Sequence, residues 1–266
     1  MKISSAIITG GAGFIGSHLI DALLNNGCSK ILVIDDLSTG KKRNIDKHIK
    51  SGNVELINKK VEDVEGIEAE IKGYDICFHL AAGVGVQYIM ENVSSSLLTN
   101  IEATHKMIGA CSKNQIPLLL TSTSEVYGVS TDEVWNEETR SLIGPPTKLR
   151  WSYATSKLID EFLALSEYKS GNLKPIIVRL FNIIGPRQVG EFGMVVPKFI
   201  AQAQKDEALV VHGDGEQSRS FTWVGDVVSS FLKLAEAEVY GEIFNIGHPE
   251  EVTINELAKL IIEVND

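Results

Sequence analysis

Residues 9–18 read Thr9-Gly10-Gly11-Ala12-Gly13-Phe14-Ile15-Gly16-Ser17-His18. Gly10, Gly13 and Gly16 form a G-x-x-G-x-x-G run between a β-branched segment, Ile3–Thr9, and a helix-like stretch, Phe14–Asn26. Glycines at such a junction permit a tight turn and a close approach of backbone to pyrophosphate, and the helix that follows offers unpaired N–H groups to the phosphate. A ligand-free βα turn would use the same residues. Asp35 separates the two readings, because it ends the next apolar run, Ile31–Asp35, where a dinucleotide-binding unit needs an acid for the ribose hydroxyls. A 2′-phosphate would face that carboxylate, so NAD is expected rather than NADP. Lys41, Lys42 and Arg43 nearby read as a solvated basic turn. The expected cofactor-binding residues are therefore Gly10, Gly13, Phe14, Ile15, Gly16 and Asp35.

The pattern continues outward from that turn. Further apolar runs fall at Val54–Ile57, Ile76–Leu80, Ile116–Thr121 and Pro175–Leu180, with helical periodicity at Ser94–Lys113 and Trp151–Tyr168. Strands alternating with helices imply an α/β chain with a parallel sheet covered on both faces, a Rossmann-like doubly wound arrangement. The rhythm shortens after about Gly185. Val195–Gln204, Gly225–Ala235 and Ile254–Val264 read as helices, and Leu209–His212 and Ile243–Ile246 as strands. We expect a cofactor-binding domain over 1–180 and a smaller C-terminal substrate-binding lobe over 181–266, partly interleaved with it. The stretch Val129–Arg150 reads as a long irregular loop, of the kind that often serves function.

Composition narrows the partners. A net charge of −10 argues against nucleic acid or an anionic membrane surface. It leaves room for a locally basic pocket, with Arg179, Arg187 and Arg219 as candidates. Cys28, Cys77 and Cys111 have neither metal-ligand nor CxxC spacing and read as small buried hydrophobes. No apolar run approaches the ~20 residues of a membrane helix, and the N-terminus lacks a signal-peptide core. The protein is expected to be soluble and cytoplasmic, with no metal. His18 and His79 read as structural, and Trp135, Trp151 and Trp223 as packing groups.

Tyr153 and Lys157 are spaced i, i+4 in SYATSK, which places both on one helix face. An ammonium beside a phenol favours the phenolate, so Lys157 is expected to lower the tyrosine pKa and let it take a proton from a hydroxyl. Thr123 and Glu125 lie in Thr123-Ser124-Glu125-Val126-Tyr127-Gly128, just past the fifth run, at the carboxyl edge of the sheet where ligands bind. Thr123 donates and accepts at once, so it can bridge a substrate hydroxyl and the Tyr153 oxygen. Glu125 reads equally as a catalytic acid or as an idle exposed carboxylate.

The segments TGGAGFIGSHL, VIDDLSTG, FHLAA, LTNIEATHKMI, STSEVYG, SYATSK, VRLFNIIGPRQ, VVHGDGEQSRSFTWVGDVV and FNIG together resemble the NAD-dependent epimerase/dehydratase family of extended short-chain dehydrogenases/reductases. The resemblance implies that Ala81 and Asn100 join the glycines and Asp35 around NAD. It implies that Thr123, Tyr153 and Lys157 carry catalysis, with Lys157 also binding the nicotinamide ribose. Asn182, Arg187 and Arg219 would grip the substrate's nucleotide diphosphate, a task suited to the planar fork of arginine. A homodimer through helices equivalent to Ser94–Lys113 and Trp151–Tyr168 is also implied. Two features depart from the family. Asn58-Lys59-Lys60-Val61 stands where relatives carry Gly-Asp facing adenine, and relatives usually continue for some tens of residues beyond Asp266, so the substrate lobe is expected to be truncated or reduced.

In that family Tyr153 would deprotonate the sugar 4-hydroxyl while the C4 hydride passes to NAD, giving a 4-keto sugar. Members then diverge into epimerases, decarboxylases and dehydratases. Dehydratases carry Thr-Asp-Glu where this chain has Thr123-Ser124-Glu125, so a 4,6-dehydratase is disfavoured. Thr-Ser-Glu resembles the UDP-glucuronate decarboxylases, whereas the GPRQ and GDGEQSRSFTWVGDVV segments are shared with 4-epimerases. The expected activity is that of a UDP-sugar 4-epimerase, with UDP-glucuronate decarboxylase as runner-up. A catalytically idle NAD-binding protein is the rival from another class, set against the presence of both Tyr153 and Lys157.

Overall fold

The structure, a computed structural model, describes residues 2–82, 93–132, 134–190 and 194–265. Its centre is a seven-stranded sheet in the order β10-β6-β5-β4-β1-β2-β3. The strands are β1 Ser5–Thr9, β2 Lys30–Ile34, β3 Val54–Ile57, β4 Ile76–His79, β5 Leu118–Thr123, β6 Pro175–Leu180 and β10 Glu242–Ile246. Every pairing in it is parallel. The chain builds β1, β2 and β3 in one direction and then returns across β1 to lay down β4, β5 and β6 in the other. The reversal between β1 and β4 opens a crevice at their carboxyl ends, and the glycine turn sits there.

Successive side chains of a strand face opposite sides of the sheet, and here both sides are dry. Ile8, Val33 and Phe78 face one helical layer, with Leu19, Ile20 and Phe231. Ile7, Leu32 and Cys77 face the other, with Met107, Ile108 and Ala164. The first layer contains α1 Phe14–Asn25. The second contains α4 Val93–Asn114 and α5 Ser152–Lys169, which pack on each other. Short helices α2 Asp46–Lys50 and α3 Ile67–Glu70 cover the connections around β3. The three cysteines are free and buried in these layers, as expected of small hydrophobes.

Past residue 180 the chain divides its elements between two places. Helix α6 spans Val195–Ala203, α7 Val224–Ala237 and α8 Ile254–Asn265. Of these, α7 packs on α1, and β10 pairs with β6 in register from Glu242↔Ile176 to Ile246↔Leu180. Both elements thus return to the sheet domain. A small separate core of Phe199, Ile254 and Leu257 joins α6 to α8 beside an antiparallel pair, β8 Ser218–Ser220 with β11 Glu251–Thr253. A two-residue pair, β7 Ile183–Ile184 with β9 Thr222–Trp223, links this region to the end of β6. Leu209–His212, expected as a strand, is not one. Leu209 and Val211 turn their side chains onto the small core, but the segment pairs with no strand among the described residues. No helix among the described residues is long and apolar enough to cross a membrane.

Candidate active site

The glycine turn has no room for side chains. Gly10 adopts φ +71, and a Cβ there would meet Ala81 N at 2.9 Å, while a Cβ on Gly16 would lie 2.3 Å from Gly10 O. Gly10 N–H donates to Ile34 O at 2.9 Å and Gly13 N–H to Gly10 O at 3.2 Å, so the turn is tied to β2 and to itself. Gly13 caps α1 without a side-chain hydrogen bond, leaving the first-turn N–H groups, with half-buried Phe14 and Ile15, facing the crevice end of the sheet. Asp35 accepts Ala12 N–H on Oδ2 and Leu37 N–H on Oδ1, both at 2.8 Å. Burial pushes its carboxyl up, and these two bonds ease the rise. Each oxygen keeps a lone pair for a ribose hydroxyl. Asn58, in the departing Asn58-Lys59-Lys60-Val61 segment, donates to Asp35 O at 2.9 Å and so steadies the same corner. A cradle only glycine fits, an open helix N-terminus and a strand-end carboxylate suit a dinucleotide.

Thr9, one residue before the turn, begins a buried polar chain. Its hydroxyl oxygen accepts Leu80 N–H and Ala81 N–H, each at 3.1 Å. Its own proton therefore points to His79 Nδ1, 2.8 Å away. His79 is wholly buried, and burial, helped by the Lys157 charge, depresses its pKa to about 3. A neutral imidazole that accepts on Nδ1 carries its proton on Nε2, which is 3.1 Å from Thr104 Oγ1. His79 is thus a satisfied core histidine, as its strand position suggests. His18 binds the Pro186 carbonyl through Nε2 at 2.9 Å.

Tyr153 and Lys157 occupy the first two turns of α5, beside the end of β5. Lys157 is buried, and its Nζ donates to Asp160 Oδ2 at 2.8 Å. The expectation that Lys157 lowers the tyrosine pKa is corrected here. The phenol of Tyr153 is pushed up, first by burial and then by the negative charges of Glu125 and Asp160. The ammonium is already paired within its own helix, and two carboxylates act on the phenol instead. Asn100 on α4 is buried and donates to Ser156 Oγ at 3.4 Å, and Ser156 Oγ donates to Tyr153 O at 2.8 Å, fixing the start of α5 against α4.

Thr123 ends β5, and its Oγ1 accepts the Glu125 N–H at 3.3 Å, which caps the turn Ser124–Tyr127. That turn swings Glu125 towards the catalytic helix. Much of Glu125 is exposed, yet neighbouring atoms crowd its carboxyl enough to push it up, while Arg150 pulls the other way. Arg150 in turn stacks over the Trp151 ring, 4.6 Å from its centroid. Thr123 and Glu125 thus lie where the end of β5 and the turn after it pack against α5, the helix that carries Tyr153 and Lys157.

The arginines behave differently from one another. Arg179 is no part of a basic pocket, because it is buried and pairs with Glu161 through Nε at 3.0 Å and Nη2 at 2.7 Å. Arg187 has φ +68, and its Nη2 lies 2.6 Å from Asp21 Oδ2 on α1. Asp21 also meets Lys47 and His48, and the hydrogen bonds from His48, Arg187 and Lys47, outweighing burial, bring its pKa down to about 2. Arg219 on β8 is exposed. Asn182 sits next to it in space, donating to Ser220 O at 3.0 Å. Asn182 thus lies against the strand that carries Arg219, and Arg187 is paired with α1 through Nη2. Asp160 escaped the sequence reading, although a carboxylate three residues beyond a helical lysine is within reach of it. No group of His, Cys, Asp and Glu side chains among the described residues could hold a metal ion.

Comparison with known proteins places this geometry. The pattern that defines the NAD dependent epimerase/dehydratase family matches residues 6–247. A UDP-N-acetyl-alpha-D-glucosaminuronate decarboxylase of Bacillus cytotoxicus is 38% identical over 254 residues, 95% of this chain and 78% of that protein. UDP-glucuronic acid decarboxylase 4 of Arabidopsis thaliana is 38% identical over 267 residues, and the chain spans only 58% of its length. Among solved structures, a UDP-N-acetylglucosamine 4-epimerase from Methanobrevibacter ruminantium M1, in complex with UDP-N-acetylmuramic acid, superposes with a TM-score of 0.91 at 33% identity. That match covers 99% of this chain and 83% of the other.

Proposed function

The chain belongs to the NAD-dependent epimerase/dehydratase family with NAD as cofactor, and we propose that it oxidises C4 of a UDP-linked sugar and, on a hexuronate, decarboxylates the resulting 4-keto acid. NAD supplies the hydride acceptor and later the hydride donor at C4. Tyr153 takes the proton of the 4-hydroxyl, with Thr123 positioned to hold that hydroxyl. Lys157, its charge partly taken up by Asp160, offers a donor to the nicotinamide ribose. Gly10, Gly13, Gly16 and Asp35 hold the dinucleotide, with Ala81 and Asn100 beside it, and Asn182 and Arg219 meet the diphosphate.

The observation that carries the decarboxylase reading is the packing of the Ser124–Tyr127 turn, which holds Glu125, against α5, which holds Tyr153. With a ketone at C4, the C5–C6 bond can break, carbon dioxide leaves, and the electron pair passes into the ketone oxygen as an enolate. C5 then needs a proton. A carboxyl pushed up by its surroundings, as Glu125 is, suits that donation. Arg150 beside it offers a counter-charge to a substrate carboxylate. The two decarboxylase relatives carry the same weight from sequence.

The 4-epimerase reading stands second, on the close superposition with the UDP-N-acetylglucosamine 4-epimerase. There the 4-keto sugar turns over in the cleft and receives hydride on its other face, and Glu125 is a bystander. Product analysis by NMR after mixing the protein with UDP-glucose and UDP-glucuronate decides between them. A UDP-pentose with released carbon dioxide supports decarboxylation. A 4-epimer of either sugar replaces that reading with epimerisation, and recovery of both sugars unchanged overturns both for these substrates.

A further inference from the structure

The Lys157 ammonium is held by Asp160, a carboxylate that the reaction outlined above does not use. Asp160 is wholly buried on the inner face of α5, and its Oδ2 lies 2.8 Å from Lys157 Nζ. Its other oxygen, Oδ1, is buried with no hydrogen-bond partner among the described residues. A buried carboxylate with one oxygen unpaired is costly, and a helix interior offers cheaper residues at that position. The group opposite it on α4 is the Thr104 hydroxyl, which eases the Asp160 carboxyl. Thr104 is the last member of the chain that starts at Thr9. Because His79 Nε2 donates to Thr104 Oγ1, the Thr104 proton is left to point away from His79, on the side where Asp160 lies. Hydrogen bonds therefore run in one direction, from the Ala81 and Leu80 N–H groups through Thr9 and His79 to Thr104, which lies beside Asp160.

We propose that Asp160 is a positioning residue for the catalytic pair: by holding Lys157, it limits how much of the ammonium's charge reaches Tyr153 and so sets the pH at which the phenol becomes a base. The proposal rests on the assignment of Tyr153 as proton acceptor. Among the described residues, the charged and titratable groups around Asp160 come from three elements. Lys157, Glu161 and Tyr153 share its helix, His79 faces the pair from β4, and Glu125 reaches Tyr153 from the turn after β5. Glu161 is neutralised by Arg179. His79 stays neutral above pH of about 3. Among the described residues, Asp160 and Glu125 are therefore the two carboxylates that oppose Lys157 at the phenol, and only Asp160 touches the ammonium.

The sign follows. Replacing the carboxylate by an amide of the same shape removes a negative charge near the phenol and releases the ammonium from its counter-ion. Both effects favour the phenolate. In Asp160→Asn holoenzyme, the acid limb of the kcat profile is expected about 1 lower on the pH scale than in wild type, with the KM for the sugar unchanged. Thr104→Val, which removes the hydroxyl but no charge, should move the limb much less. A purely structural role would lower activity evenly across pH and leave the limb in place, and that result overturns the proposal. The same comparison without substrate uses tyrosinate ultraviolet absorbance, with a Tyr153→Phe chain subtracted. Tyrosinate from Tyr153 appearing at the same pH in Asp160→Asn as in wild type overturns the proposal even if no sugar is turned over. Earlier tyrosinate with no turnover by wild type supports the role of Asp160 and counts against the proposed activity alone.

Discussion

Arg179 on β6 and Glu161 on α5 are joined by two parallel hydrogen bonds, 3.0 and 2.7 Å long, in a place almost closed to water. The pair is also a hub. Ser122 Oγ donates to Glu161 Oε1 at 2.5 Å, and Arg179 Nη1 donates to the Tyr127 hydroxyl at 2.9 Å. Tyr127 donates onward to Asn245 Oδ1 at 2.7 Å. One ion pair thus ties the catalytic helix to β5, β6 and β10 behind the site.

Removing one partner strands the other as an uncompensated buried charge. Arg179→Met is therefore expected to cost about 3 kcal/mol or more in urea unfolding, and Glu161→Gln a similar amount. Replacing both together should cost less than the sum, because the stranded charge is gone. Additive losses would mean that the two side chains act independently.

The Glu125 carboxyl is expected to distinguish the reactions. Glu125→Gln should reduce release of carbon dioxide from a UDP-hexuronate by 10²-fold or more, roughly the worth of a positioned acid. It should leave hydride removal from C4, followed by nicotinamide absorbance in a single turnover, within a few-fold of wild type. Loss of both steps together would show that Glu125 serves Tyr153 rather than C5.

The fold was legible because its signals are local. The glycine turn, the strand-end Asp35 and the Tyr153–Lys157 spacing are each written within a few residues, and the strand–helix alternation placed them at one sheet edge. What was not legible depends on partners distant in sequence. Arg179 looked like a pocket cation until Glu161 from the neighbouring helix closed on it. Nothing near Arg187 in the sequence shows that its Nη2 pairs with Asp21, far earlier in the chain. The return of β10 to β6 could not be read from the four-residue run Ile243–Ile246, since periodicity does not say which strand is the neighbour. Lys157 was read with the residue four before it, and the stronger partner lay three after it.

His79 carries a pH dependence of stability. Its folded pKa is about 3 against an ordinary 6.5, so the unfolded chain takes up its proton first as pH falls. The sign is a loss of stability from pH 6.5 down to about 3, with nothing contributed above 6.5. The slope from this residue is about 1.4 kcal/mol for each pH unit in that window. Asp35, Glu125 and Asp160, whose carboxyls are pushed up, act in the opposite sense. The effect is therefore read as a difference: His79→Asn, although less stable overall, should lose less further stability than wild type between pH 6 and 4. Parallel curves would show that His79 is protonated in the folded protein.

The helices α4 and α5 present apolar side chains to solvent, with Leu98 56% and Phe162 71% exposed. Exposed large hydrophobics on one helical pair mark a surface built to be covered. We propose that a second copy of the chain covers it, as the family resemblance implies. Phe162→Glu places a charge on that face without touching the buried side of α5, where Ala164, Glu161 and Lys157 lie. Sedimentation should show a dimer for wild type at micromolar concentration and a monomer for Phe162→Glu. A monomer for both would assign the face to some other partner.

Tyr153→Phe is the most direct trial of the chemistry. The ring is half-buried at the start of α5, and the phenylalanine ring fills the same space, so folding and NAD retention should be unaffected. Only the oxygen that accepts the sugar proton is lost. Turnover should fall by 10³-fold or more, at the upper end of what a positioned base supplies. The bound cofactor should also fail to show reduction when sugar is added, because the hydride leaves C4 as the proton leaves the 4-hydroxyl. Reduction of the cofactor at the wild-type rate would move the base elsewhere in the cleft, and Glu125, the other carboxyl or phenol at that edge, would be the group to test in its place.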